Sequence, residues 1–323
     1  MDDKDRKILY ELSENARESH NVLARKLKIS REVLDYRIKK LEKEGIIYSY
    51  QARINISNFI YGGYILLIKC SGLKESQEKL IINKIKNDEH TQYLGRVGGG
   101  YDLIIGFTVK DLADLGEYIS FINNSFSVYK QRVTFLTMIR EFKDSIKGVF
   151  LDNEEVNKIN SMPIIEEKVL IDNIDEKIIS ILGKGSSTYS WEIAEKVKIS
   201  DVAVRKRIGK LIERKVILGF RTMIDLTKLG YEVVFLFLKV NFKDKIHEKE
   251  LENFFVSNNK ITYATKIIGE YDYVLTTIVK NNLDLNNFIK NLREKFSNSI
   301  IEVESMPLFE MVYHTQLARS FLK

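Results

Sequence analysis

Leu23–Ile47 reads LARKLKISREVLDYRIKKLEKEGII, and its punctuation decides the fold. The stretch divides into a short helix, a tight turn at Lys28-Ile29-Ser30, and a second helix opening at Arg31. Ser30 stands where an N-cap belongs, so its hydroxyl can accept a free backbone N–H at the helix start. Val33 follows where a capping box would need Glu or Gln, so the cap is a simple one. Leu34, Ile38 and Leu41 recur at i, i+4 and i+7 and predict one buried stripe. The stretch returns 170 positions later as Ile193–Ile217, IAEKVKISDVAVRKRIGKLIERKVI. There the turn is Lys198-Ile199-Ser200 and the stripe is Val204, Ile208 and Leu211. A basic helix–turn–helix that occurs twice points to double-stranded DNA as a partner.

The frame shift of 170 extends over nearly the whole chain. Asp5 meets Asp175, Leu12 meets Leu182, Arg37-Ile38 meets Arg207-Ile208, Tyr101-Asp102 meets Tyr271-Asp272, and Val133 meets Val303. The expected domains are therefore helix–turn–helix units at 1–55 and 171–225, further domains at 56–153 and 226–323, and a linker at 154–170. Within each unit the hydrophobic period changes once. After the helix–turn–helix come alternating runs at Ile46–Ile54 and Val216–Ile224. Strand, helix, two strands, helix and strand then follow, at Tyr64–Cys70, Glu75–Asn87, Gln92–Val97, Asp102–Val109, Leu112–Phe126 and Val128–Phe142. The second copy places its strands at Val233–Phe242, Thr262–Ile268, Tyr273–Val279 and Ile301–Val312. The fold class is α+β, in two tandem units, each a winged helix–turn–helix followed by a ferredoxin-like βαββαβ domain. Such a sheet carries helices on one face only, so the bare face needs a cover, and the other copy is the obvious one.

The composition of this 323-residue chain is that of a globular protein, 44% hydrophobic and 30% charged. Its net charge of +6 suits a polyanionic partner only modestly. Cys70 is the single cysteine, which excludes an intramolecular disulfide and a thiolate zinc site. The longest apolar runs, Phe59–Ile68 and Val233–Leu238, fall short of the roughly 20 residues a bilayer requires. No signal-like segment follows Met1, so no membrane partner and a cytoplasmic location are expected. His20, His90, His247 and His314 lack ligand spacing and fall at unmatched positions. Gly183-Lys184-Gly185-Ser186-Ser187 is not a phosphate loop. No metal, cofactor or catalytic constellation is expected.

The face opposite the buried stripe carries the candidate DNA contacts. These are Ser30, Arg31, Tyr36, Arg37, Lys39 and Lys40 in the first copy, and Ser200, Arg205, Lys206, Arg207 and Lys210 in the second. Residues 31–44 hold five Lys/Arg against four Asp/Glu, whereas 201–214 hold five against two. Glu32 and Asp35 sit where they would repel phosphate. The second copy is therefore expected to supply more of the binding energy.

The Ser-x-x-(Val/Ala)-x-x-Arg-Ile-x-x-Leu helix, the Asp-bearing first helix and the Gly-x-Tyr-Asp turn resemble the Lrp/AsnC family of transcription regulators. The resemblance covers both units. It implies a dimer-like pairing of the C-terminal sheets, here within one chain, and an amino-acid effector bound between them. Glycine explains the turn itself, which needs positive φ. The resemblance adds Gly99, Tyr101, Asp102, Gly269, Tyr271, Asp272 and Ser305 as effector contacts, with the aspartates receiving an ammonium. Copy one has Phe135 where copy two has Ser305, and Pro307 is expected to interrupt the second copy's last strand. The 17-residue linker, with a mean reach of about 20–25 Å, can cross a domain of about 13 Å radius. Unequal recognition helices imply an asymmetric DNA site, and self-association beyond the covalent pair is open. Two alternatives remain. One is a sirohaem (tetrapyrrole) decarboxylase-like enzyme, although YLGRVGGGYDLIIGF and ATKIIGEYDYVLTTI carry no His or Trp. The other is a protein-interaction module whose helix–turn–helix units no longer bind DNA.

Overall fold

The computed structural model describes residues 1–55, 62–150, 171–185, 189–242, 244–315 and 317–322. The expected linker, 154–170, lies outside them. The first half contains α1 (Asp3–Glu14), α2 (His20–Leu27), α3 (Arg31–Lys43), β1 (Ile47–Ile54), β2 (Gly62–Cys70), α4 (Glu75–Asn87), β3 (Thr91–Val97), β4 (Leu103–Val109), α5 (Leu112–Phe126) and β5 (Lys130–Asp144). The same order follows as α6 (Asn173–Lys184), α7 (Ser190–Val197), α8 (Asp201–Glu213), β6 (Ile217–Ile224), β7 (Glu232–Val240), α9 (Lys245–Ser257), β8 (Ile261–Ile268), β9 (Tyr273–Val279), α10 (Asn282–Lys295) and β10 (Ile300–His314). No helix among the described residues is long and apolar enough to cross a membrane.

Each three-helix unit closes on the stripe read from the sequence. Ile8, Leu9 and Leu12 of α1 pack with Leu23, Leu34, Ile38 and Leu41, and Ile178, Ile179 and Leu182 of α6 with Ile193, Val204, Ile208 and Leu211. Burying each such side chain is worth about 1.5–3 kcal/mol. The turn between α2 and α3 is made by Lys28 in the left-handed region (φ 54°), and Lys198 repeats it (φ 58°). Neither core is complete within its own half. Ile224 and Leu226 fill the first unit, while Ala52 and Ile54 fill the second. The cause is the pairing of β1 with β6, antiparallel, from Ile47 opposite Ile224 to Ile54 opposite Ile217.

The remaining eight strands form one closed barrel in the order β10-β3-β4-β2-β5-β8-β9-β7. Each half supplies four strands, in the ferredoxin-like order, with its helices outside. Ile81, Ile85, Tyr118 and Ile122 cover one sheet, and Leu251, Phe255, Phe288 and Leu292 cover the other. The bare faces meet inside, where Leu67, Tyr101, Leu136, Phe237, Tyr271 and Met306 are buried together. Closure leaves neither sheet an open edge.

The two 15-residue strands make closure work. β5 pairs with β2 from Lys130 to Thr137 and with β8 from Thr137 to Asp144. β10 pairs with β7 from Ile300 to Pro307 and with β3 from Leu308 to His314. The expected break at Pro307 does not occur. Proline falls where the strand changes partners, so its missing N–H costs little, and its carbonyl still accepts from Gly98 N–H at 2.9 Å.

His90 joins β3 to α4 and α5. Its Nδ1 lies 3.0 Å from Asp88 and its Nε2 2.9 Å from Asp114, while Lys260 pairs with Asp284 at the matching place. The hydrogen bond to Asp88 raises the imidazole pKa; burial opposes this and Asp114 reinforces it. A raised folded-state pKa gives stability that is full below the unfolded value near 6.5 and is lost as pH rises through the folded one. Chemical denaturation should therefore show stability falling as pH rises across that window. His90→Lys, which copies the other half, should remove this component.

Candidate nucleic-acid interface

Both recognition helices begin as the sequence implies. Ser30 Oγ accepts from Val33 N–H at 3.3 Å and Ser200 Oγ from Ala203 N–H at 3.2 Å. Away from the buried stripe, Arg31, Tyr36, Lys39 and Lys40 are exposed on α3, as are Arg205, Lys206 and Lys210 on α8. These side chains fan around the solvent side of each helix, with Arg31 and Lys40 on opposite flanks of α3.

Arg37 and Arg207, expected among the DNA contacts, are engaged within the protein instead. Arg37 Nη1 donates to Asp2 at 2.8 Å and to Asp5 at 2.7 Å, and Arg207 repeats both distances to Asp172 and Asp175. Hydrogen bonds to Asp5, then Asp2, raise the guanidinium pKa of Arg37, and Asp175 and Asp172 do so for Arg207. Both side chains are turned back onto the first helix of their unit. They fasten the recognition helix to the scaffold.

The two faces differ in how their charges are engaged. On α3, Asp35 is held by His20 Nδ1 at 2.5 Å and by Arg31 Nε at 3.5 Å. On α8 the order is inverted: Asp201 occupies the first turn and Arg205 binds it one turn later, at 2.6 Å. An acid in the first turn also suits the helix dipole, as Asp201 does. Lys206 and Lys210 are held by no ion pair among the described residues. Tyr189 and Trp191, stacked at 6.3 Å and more than half exposed at the start of α7, were not singled out from the sequence. A lone tryptophan on an otherwise polar helix face was the available signal.

The glycine hairpins meet the last strands inside the barrel. A Cβ on Gly99 (φ +94°) would lie 3.2 Å from Ser305 O, and one on Gly269 (φ +147°) would lie 2.8 Å from Phe135 O. Tyr101 and Tyr271 are buried. Tyr101 Oη is 2.6 Å from Thr134 Oγ1, whose hydroxyl donates to Glu270 at 2.7 Å. Tyr271 donates to Glu304. The expected ammonium role of Asp102 and Asp272 meets a competing use. Asp102 accepts from Cys70 N–H at 2.7 Å and Lys69 Nζ at 2.9 Å, and Asp272 accepts from Val240 N–H at 2.8 Å. The carboxylates that border the buried tyrosines are Glu270 and Glu304. No group of three or more His, Cys, Asp or Glu among the described residues could hold a metal ion.

The first helix–turn–helix unit is of a DNA-binding type, and similarity to known proteins points to transcription regulators. Residues 1–48 match the family model described as winged helix-turn-helix DNA-binding. An HTH-type transcriptional regulator of Methanocaldococcus jannaschii is 32% identical over 148 residues, which are 46% of this chain and 97% of that protein. The HTH-type transcriptional regulator LrpB of Bacillus subtilis is 29% identical over 125 residues, 38% of this chain and 80% of its own. The chain belongs to the Lrp/AsnC family of helix–turn–helix transcription regulators. Its whole length also superposes on the siroheme decarboxylase NirDL with a TM-score of 0.64, covering 98% of this chain and 94% of that one. At 12% identity that likeness is one of fold.

Proposed function

We propose that this regulator acts as a covalent pseudo-dimer, with units at 1–55 and 171–225 presenting α3 and α8 to two dissimilar half-sites of DNA. The observation that carries this reading is the exchange at β1 and β6, by which each three-helix core contains residues of the other half. A partner tethered in the same chain is present at roughly millimolar effective concentration, so pairing does not depend on dilution. The unfolding midpoint of the full chain should then stay constant over about a hundredfold range of protein concentration. A midpoint that rises with concentration would place the pairing between chains.

The effector belongs to the same proposal. An amino acid would place its carboxylate at the hairpin N–H groups of Gly99 or Gly269, and its ammonium at Glu270 or Glu304. The two places are unequal, because Glu270 comes from a hairpin and Glu304 from a last strand, and the matching positions of the first half hold Gly100 and Thr134. Calorimetric titration with the twenty amino acids tests this, and heat that disappears in Glu270→Gln supports it. A flat result throughout makes the hairpins purely structural. Whole-chain likeness to NirDL favours a second reading as a tetrapyrrole-acting enzyme, which an absorbance titration with an iron porphyrin would reveal.

A further inference from the structure

A cavity of about 1010 Å³, open to solvent on one side, lies between the β1–β6 ribbon and the end of the barrel away from the glycine hairpins. Its body is apolar, with Ile65, Ile104, Phe235 and Val274 on the walls. Its ribbon end is charged. Arg221 Nη1 lies 2.5 Å from Asp144 Oδ1, and Arg53 Nε lies 3.8 Å from Asp144 Oδ2. Both guanidiniums therefore face the Asp144 carboxylate. Glu141, the next acid, spends an oxygen on Tyr263 Oη at 2.6 Å, and burial followed by Asp144 disfavours its ionised form. Burial, then Arg221, pushes His314 down to about 4, so it adds no charge at neutral pH. Toward the rim the lining carries Lys86 and Lys147 together with Asp225 and Glu310, the last paired with Arg96 at 2.9 Å. Three buried polar atoms around this end, Arg221 Nε, His314 Nδ1 and Tyr93 Oη, have no hydrogen-bond partner among the described residues. Such groups are costly to leave unmade, and three converging on one cavity mark a place for an acceptor-rich guest.

The pseudo-symmetry makes the site single. Position 53 is Arg where its counterpart 223 is Met; 221 is Arg where 51 is Gln; 144 is Asp where 314 is His. A pair of identical chains would carry each of these residues twice about the axis.

We infer that this cavity binds one small organic carboxylate per chain, its carboxylate on Arg221 and Arg53 and its apolar body between the two sheets. The roof over the ligand is the ribbon that completes both helix–turn–helix cores, so occupancy bears on the element that links them.

Calorimetric titration of the full chain with 4-phenylbutanoate, octanoate and indole-3-acetate, and with 4-phenylbutanamide as the neutral counterpart, tests the assignment. At least one carboxylate should bind once per chain, about tenfold or more tighter than the amide. Arg53→Met and Arg221→Gln should each erase that preference, weakening the carboxylate more than the amide. Each introduces the residue the other half carries at the matching position. Val274→Phe, which fills the apolar body, should weaken carboxylate and amide alike and serves if the arginine variants do not fold. Silence of all three carboxylates at roughly millimolar concentration overturns the assignment. So does equal binding of the amide, a stoichiometry of two per chain, or binding abolished by Glu270→Gln and untouched by Arg221→Gln, which would return the ligand to the hairpins.

Discussion

Replacing Arg205, Lys206 and Lys210 by alanine together should weaken DNA binding by on the order of a hundredfold at moderate salt. The matching change on the first helix, Arg31, Lys39 and Lys40 to alanine, should cost only about tenfold. The difference follows from how the charges are engaged. On α3, Arg31 shares Asp35 with His20, and Lys40 reaches Glu44 at 3.8 Å. On α8, Arg205 has one acid partner, and the two lysines have none among the described residues. Removing each cation that neutralises a phosphate should also lower the log–log salt slope by about 0.9. Arg207 is left in place, because its removal would uncouple α8 from Asp175 and confuse weaker DNA binding with loss of fold. Fluorescence anisotropy across a salt series reads both quantities. Equal losses from the two triple variants would refute the unequal division of labour.

Gly269→Ala should destabilise the barrel by about 2–4 kcal/mol, combining backbone strain with overpacking. The new Cβ would meet the Phe135 carbonyl oxygen and Leu136 Cδ2, each at 2.8 Å, in a backbone with φ +147°. A side chain could rotate away, but the carbonyl belongs to β5 at the step where it passes from β2 to β8. Gly99→Ala, facing Ser305 O at 3.2 Å, should cost less, about 1–2 kcal/mol. Gly116→Ala in α5, with nothing within 4 Å, should gain up to about 1 kcal/mol from helix propensity. Urea denaturation of the three variants checks the order. A Gly269→Ala protein as stable as the parent would mean that the hairpin and the last strand do not approach as described.

Much of the architecture was legible because the chain states it twice. A cap, a left-handed turn and a stripe at Leu34, Ile38 and Leu41 form a local pattern, and its return at Ser200, Val204, Ile208 and Leu211 fixed the element order. What the repeat concealed was the relation between copies. Nothing in the run Ile47–Ile54 says that its partner is Ile217–Ile224, because both strands read as ordinary alternation. Pro307 looked like an interruption because the change of partner at that residue depends on closure. Arg37 and Arg207 looked like groove contacts because they lie on the polar side of their helices; only the docking of α1 and α6 brings the aspartates to them. The charged cavity was hidden for a further reason. A repeat announces itself at positions that agree, whereas Arg53, Arg221, Asp144 and His314 stand where the halves differ.

Whether one chain reads DNA with two unlike recognition helices is decided by selecting bound sequences from random duplex DNA with the intact protein. Selection should enrich a single composite site, two dissimilar half-sites centred about one helical turn, roughly 34–36 Å, apart or a multiple of it. The half-site read by α8 should be the one more strongly retained as salt is raised. A perfect inverted repeat would contradict the asymmetry, and no enrichment over the input pool would contradict sequence-specific binding itself.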